Sequence, residues 1–228
     1  MSGVVMVETI RRHVTNAGYL AFLGLVAIVA IAASHFDRPT AAWPTLIWLL
    51  AVITGAGPIG PEFSSGTLQL ILVKPLNRAT YLLSRVAGVL CVVWLTALVA
   101  FTCEVIGRAF TGAIPWQVLA TALLNSMADT LLTVSLLVLL GSITRAYFNA
   151  AIYVGTQIGI SVITGVLTMS HRFPAVLQAI GTIDGNLFPD RPLTFDRDYL
   201  LLAASNAAIA LVLACFAFRE REVPYGAD

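Results

Sequence analysis

Charge is scarce in this sequence. Asp, Glu, Lys and Arg make up 11% of its 228 residues, with Lys74 the single lysine, against about 25% in an ordinary soluble domain. So few charges cannot cover the surface of a water-soluble globule of this length. The formal net charge is only +1, which leaves no basic footprint for a nucleic-acid partner. Cysteine is scarce as well. Cys91, Cys103 and Cys215 sit inside apolar runs with no Cys-x-x-Cys pair, which excludes a disulfide scaffold and argues against a metal or redox centre. The signatures of chemistry are missing too. No G-x-x-x-x-G-K-[ST] loop leads into Lys74, and neither H-E-x-x-H nor G-x-S-x-G occurs. The chain is therefore expected to carry no catalytic residues, no metal and no phosphate-cradling ATP site of its own.

Apolar residues are what is there, at 58% of the chain, with a mean hydropathy of +0.88. They fall into runs of the roughly 20 residues that a membrane-crossing helix needs. The expected fold is all-α: a polytopic membrane protein with spans at about 17–35, 41–60, 84–106, 115–141, 147–170 and 199–218. The first run follows Arg11 and Arg12 and ends in Ala30-Ile31-Ala32-Ala33. That loosely resembles a signal-peptide cleavage site, but the run is long for a signal and reads as an uncleaved first helix. Six spans put both termini on one side. Arg11, Arg12, Lys74, Arg78, Arg85, Arg145, Arg219 and Arg221 fall there, against Arg38, Arg108, Arg172, Arg191 and Arg197 opposite. Eight against five places both termini in the cytoplasm.

Three segments outside the spans are informative. Residues 4–14 put Val7, Ile10 and Val14 on one helical face, with Glu8, Arg11 and Arg12 elsewhere. This spacing predicts a short helix lying on the membrane surface. Between the second and third spans, two Gly-Pro steps at 57–58 and 60–61 loosen the end of a helix. Ser64 or Ser65 can then cap a short cytoplasmic helix over 62–74, which Lys74-Pro75 ends. The 172–198 stretch is expected on the outer face. It contains an apolar piece from Phe173 to Ile183, a turn at Asp184-Gly185-Asn186, and a second apolar piece from Phe188 to Phe195. Short helices at the interface and a plain loop both fit it.

Polar groups inside the spans are few. A carboxylate near the bilayer centre costs at least about 2.5–3.5 kcal/mol, so by default it faces a bundle interior or a cavity. Asp129 is such a residue, with Asn125 one turn away on the same face. Helix-packing glue and a place on a pathway or subunit interface are equally open to them. Glu104 lies near the outer end of the third span, where Arg108 at i+4 can pair with it as a structural ion pair. Asn206 and Gln157 read as groups bonding between helices.

The segment from Glu62 to Arg78 resembles the permease subunits of type 2 ABC exporters. In that family the second helix runs into a glutamate, then Gly-Thr-Leu, an apolar stretch, and a proline followed by arginine. Here those positions are Glu62, Gly66-Thr67-Leu68, Leu70-Ile71-Leu72, Pro75 and Arg78. Glu8-Thr9-Ile10-Arg11-Arg12, the turn at Leu140-Gly141-Ser142-Ile143-Thr144-Arg145 and the exit at Phe218-Arg219-Glu220-Arg221 are similar to the family in a weaker way. The Gly-Pro steps depart from it. The resemblance implies a bacterial-type inner-membrane half-transporter that pairs with a second copy of itself or a related permease. Separate ATPase subunits would bind ATP and Mg, and would couple to this chain through Glu62, Gly66, Thr67, Leu68, Leu72, Pro75 and Arg78. It also leaves room for an extracytoplasmic accessory protein and implies short outer-face helices between spans five and six. Two other readings remain: an ion-coupled carrier using Asp129, and a non-transporting membrane assembly factor.

Overall fold

The computed structural model describes residues 3–35, 43–57, 77–112, 114–144, 148–170, 174–189, 192 and 194–220. Among them are eight α-helices and no strand: α1 (Gly3–Val14), α2 (Ala17–Ala33), α3 (Trp43–Ala56), α4 (Arg78–Thr111), α5 (Trp116–Ile143), α6 (Phe148–Ser170), α7 (Pro174–Leu187) and α8 (Arg197–Glu220). Four of these, α4, α5, α6 and α8, are long and apolar enough to cross a membrane. A fifth candidate is the bent pair α1 and α2; α3 is a shorter apolar helix of 14 residues. Residues 58–60 of the expected second span, and the whole 62–74 element, lie outside the described residues.

The elbow between α1 and α2 has a local cause. Asn16 leaves the helical region (φ −79°, ψ 124°), and its Oδ1 accepts from the Gly18 N–H to start a new helix. The two axes differ by 71°. On α1, Val4 and Val7 point outward while Thr9 is buried. Arg11, Arg12 and His13 occupy its last turn, where positive charge suits the helix dipole.

Helix α4 is the mast of the bundle. Its 34 residues reach about 51 Å at 1.5 Å each, more than the roughly 40–45 Å of a bilayer with its headgroups. Helices α1, α2, α3, α5 and α8 all pack on it, around a core that includes Trp43, Ile47, Leu82, Val93, Val134 and Phe218. Two glycines admit neighbours at opposite ends. A Cβ on Gly88 would sit 2.7 Å from Thr9 Cβ of α1, and one on Gly107 would sit 2.8 Å from Ser34 Cβ just past α2. Helix α8 presents Ala203, Ala207, Ala210 and Ala214 on its buried face and packs chiefly on α5; small side chains there let the two backbones approach.

Helices α6 and α7 are built differently. Asn149 moors the start of α6, donating from Nδ2 to the carbonyls of Ala56 and Leu137. Beyond Tyr153 and Val154 the helix is mostly exposed, with Ile158, Val162, Val166 and Met169 facing outward. Helix α7 has no buried residue and folds back along α6.

The expected turn at Asp184-Gly185-Asn186 is absent: those residues are helical. The Asn186 side chain donates to the Thr182 carbonyl, and Phe188 N–H still bonds to the Asp184 carbonyl, so their turn-forming groups serve the helix instead. Pro189 is what ends it, because the residue before a proline resists the helical region. Described residues after Phe188 and before α8 are not helical, so no second short helix forms among them.

Candidate functional site

Asp129 lies midway along α5 and lines a cavity of about 200 Å³ together with Trp48 of α3, Tyr153 and Gln157 of α6, and Phe188 and Pro189 after α7. The Tyr153 ring is the wall that organises it. Its hydroxyl meets Thr133 Oγ1 at 3.1 Å and accepts from Gln157 Nε2 at 3.1 Å, and Asp129 lies within electrostatic range. Phe188 closes the other side, edge-on to Tyr153 with ring centroids 5.7 Å apart. Gln157 thus bonds one turn back along its own helix and not between helices. The cavity offers one carboxylate, a phenol and an amide at mid-helix depth. That chemistry suits a cation or a hydrogen-bond donor and repels an anion.

Asn125 sits one turn away and is fully buried. Its Nδ2 donates to the Pro192 carbonyl at 2.8 Å, while Oδ1 has no hydrogen-bond partner among the described residues. The neighbouring Ser126 Oγ is likewise buried and unpartnered there. Asn206 of α8 bonds the Asn186 carbonyl at the end of α7. Asn125 therefore faces Pro192, Asp129 shares its cavity with Phe188 and Pro189, and Asn206 meets Asn186, so described residues that follow α7 lie beside the middle of α5 and α8.

Glu104 and Arg108 pair on α4, with Arg108 Nε and Nη2 both 3.0 Å from Glu104 Oε1. The second carboxylate oxygen accepts from Trp43 Nε1 at 2.6 Å. Glu104 is 0% exposed and Arg108 7%, so the group is sealed within the bundle.

Of the segment from Glu62 to Arg78, residues Glu62, Gly66, Thr67, Leu68, Leu72 and Pro75 lie outside the described residues. Arg78 is described. It opens α4, capped by Asn77, and its Nη1 donates to the Arg219 carbonyl at the end of α8. No group of three or more His, Cys, Asp or Glu that could hold a metal occurs among the described residues.

A polar contact that sequence patterning misses joins α1 to α4. Arg85 is buried and donates from Nη1 to Thr9 Oγ1 at 3.0 Å and from Nε to the Tyr81 hydroxyl at 3.2 Å. Arg85 reads in the sequence as a basic residue at the start of a span, and Thr9 as one position within a charged helix. The one available signal is Gly88, whose missing side chain makes room for Thr9. No family model matches the chain, and no curated protein matches it.

Proposed function

We propose that the chain is the permease subunit of an ATP-binding cassette exporter, forming its pathway as a dimer and driven by separate ATPase subunits that bind ATP and Mg. The observation that carries this reading is the run Glu62, Gly66-Thr67-Leu68, Leu72, Pro75 and Arg78 between two apolar helices. Two features support it. An amphipathic α1 bent 71° from α2 suits an interfacial helix leading into a span, and the Asp129 cavity supplies a polar feature inside an apolar bundle. In this reading α2, α3, α4, α5, α6 and α8 are the six spans of an inner-membrane protein. The basic bias puts both termini in the cytoplasm. Helix α7 then dips from the outer face toward the bilayer middle, because its end meets Tyr153 and Asn206.

The test is recovery of partners. The tagged full-length protein, isolated from its native membrane, should bring an ATP-binding-cassette ATPase with it in comparable amount. Glu62→Lys or Gly66→Leu should lose that ATPase while staying in the membrane. Stable recovery without any ATPase rejects the reading. It would favour the ion-coupled carrier, for which the specific observation is the Asp129 carboxylate lining a cavity at mid-helix depth. Export that collapses with the proton gradient and persists without an ATPase would identify that carrier.

A further inference from the structure

At the elbow end of the bundle lies a second, larger cavity, of about 510 Å³, within the roughly 300–1,000 Å³ of small-molecule sites. It lies between the last turn of α1, the start of α2, the end of α3 and the first turns of α4. Its polar wall is cationic. Arg12 and His13 of α1 and Arg85 of α4 all line it, and Arg12 and Arg85 are close enough to repel one another. Among the described residues Glu8 is the acidic group near Arg85, and two guanidinium groups face that one carboxylate there. His13 Nδ1 bonds the Thr9 carbonyl. Asn16 caps α2 with Oδ1, so its Nδ2 remains a donor. The positive end of the α2 dipole adds to the same field.

The opposite wall is apolar: Phe22 of α2, Leu50 and Ile53 of α3, and Val89 of α4. Ile53 is 58% exposed, so this wall opens outward at the level where α1 turns into α2. Cations at an amphipathic helix with an aliphatic slot beside them form a two-part surface. A soluble anion satisfies only the first part, and an apolar molecule only the second.

We propose that this cavity binds one anionic phospholipid of the surrounding leaflet. Its phosphate sits between Arg12 and Arg85, and an acyl chain descends along Phe22 and Ile53. Bound there, the lipid offsets the repulsion between the two guanidinium groups and fastens α1 to the membrane surface. It is a resident of the elbow and not cargo, and the assignment does not depend on an ATPase partner. It needs only that the bundle stands in a bilayer.

Native mass spectrometry of the full-length protein in a non-ionic detergent tests it, with dioleoyl phosphatidylglycerol, dioleoyl phosphatidylcholine or glycerol 1-phosphate added. One phosphatidylglycerol per chain should bind at clearly lower concentration than phosphatidylcholine. A basic residue at an anionic membrane surface is worth roughly a fivefold change in affinity. Arg12→Ala should therefore weaken phosphatidylglycerol about fivefold, Arg12→Glu about 25-fold, and Arg12→Lys hardly at all. Arg12 is exposed, so these variants should elute as the wild type does on gel filtration. Phe22→Ala keeps every charge and should weaken the lipid without changing the preference for its headgroup. Equal binding of the two lipids, or wild-type affinity in Arg12→Glu, overturns the proposal. Displacement of the lipid by glycerol 1-phosphate also overturns it, since the site would then recognise a free phosphate alone.

Discussion

Among the described residues two carboxylates, Glu104 and Asp129, lie within the bundle, and they are housed in opposite ways. Glu104 has both oxygens engaged, one by Arg108 and the other by Trp43, and solvent cannot reach it. Asp129 is only partly buried and borders a cavity shared by three helices and the connection after α7. A buried charge is tolerated when its partners are complete, and removing one partner then strands the other. A charge beside a cavity keeps its interactions open to exchange. The first arrangement suits a scaffold, and the second leaves space beside a carboxylate that a polar ligand would fit.

Stranding Glu104 should have the largest effect. Arg108→Leu should destabilise the protein by about 3–5 kcal/mol, the usual cost of an uncompensated buried charge. The double variant Glu104→Leu with Arg108→Leu should recover much of that loss. Thermal unfolding in detergent measures both. A double variant no more stable than the single one would show that packing, and not the stranded charge, sets the cost. Trp43→Phe is the milder form. It keeps most of the ring volume but removes the 2.6 Å bond to Glu104, and should cost about 1.5–3 kcal/mol as a hydrogen bond to a charged group. On the other side, Tyr153→Phe removes a neutral hydroxyl shared by Thr133 and Gln157. About 0.5–1.5 kcal/mol is expected there, so a loss as large as that of Trp43→Phe would mean the cavity is scaffold too.

The two sites are legible in the sequence to the same extent. Glu104 and Arg108 are visible because i and i+4 meet on any helix, and Asp129 with Asn125 is visible for the same reason. Their tertiary partners are not. Trp43 is 61 residues from Glu104, and nothing in a single sequence ties Tyr153 or Phe188 to Asp129. The all-helical fold is legible in the apolar runs, since long hydrophobic segments have few other folds in a membrane, whereas four helices, or five with the bent pair, are long and apolar enough to cross one. Local chemistry that has two uses is harder to read. Asp184, Gly185 and Asn186 are turn formers, yet here their side-chain and backbone groups continue α7 until Pro189 stops it. On α1 the apolar residues Val7 and Val14 point outward, while the face that docks on α4 carries Thr9, opposite Gly88 and Arg85. A hydrophobic pattern finds surfaces that avoid water and is blind to a polar contact made through a gap left by glycine.

Asp129 itself should give the smallest change in stability and the largest in function. A carboxylate within an apolar bundle has a standing cost of about 2.5–3.5 kcal/mol on the insertion scale, which its interactions at the cavity offset in part. Asp129→Leu removes both the cost and the interactions, so the thermal transition should move little, or upward. Asp129→Asn keeps the shape and the hydrogen bonding and removes only the charge. If the cavity serves a cation or a proton, both variants should insert normally and lose transport, with Asn no better than Leu. If the carboxylate acts only as an acceptor that positions α6 and the connection after α7, Asn should retain activity and Leu should not. Export from cells matched for membrane content distinguishes these outcomes. Full activity in Asp129→Leu would remove the functional half of the comparison, leaving Asp129 as a tolerated charge and the cavity as a packing defect.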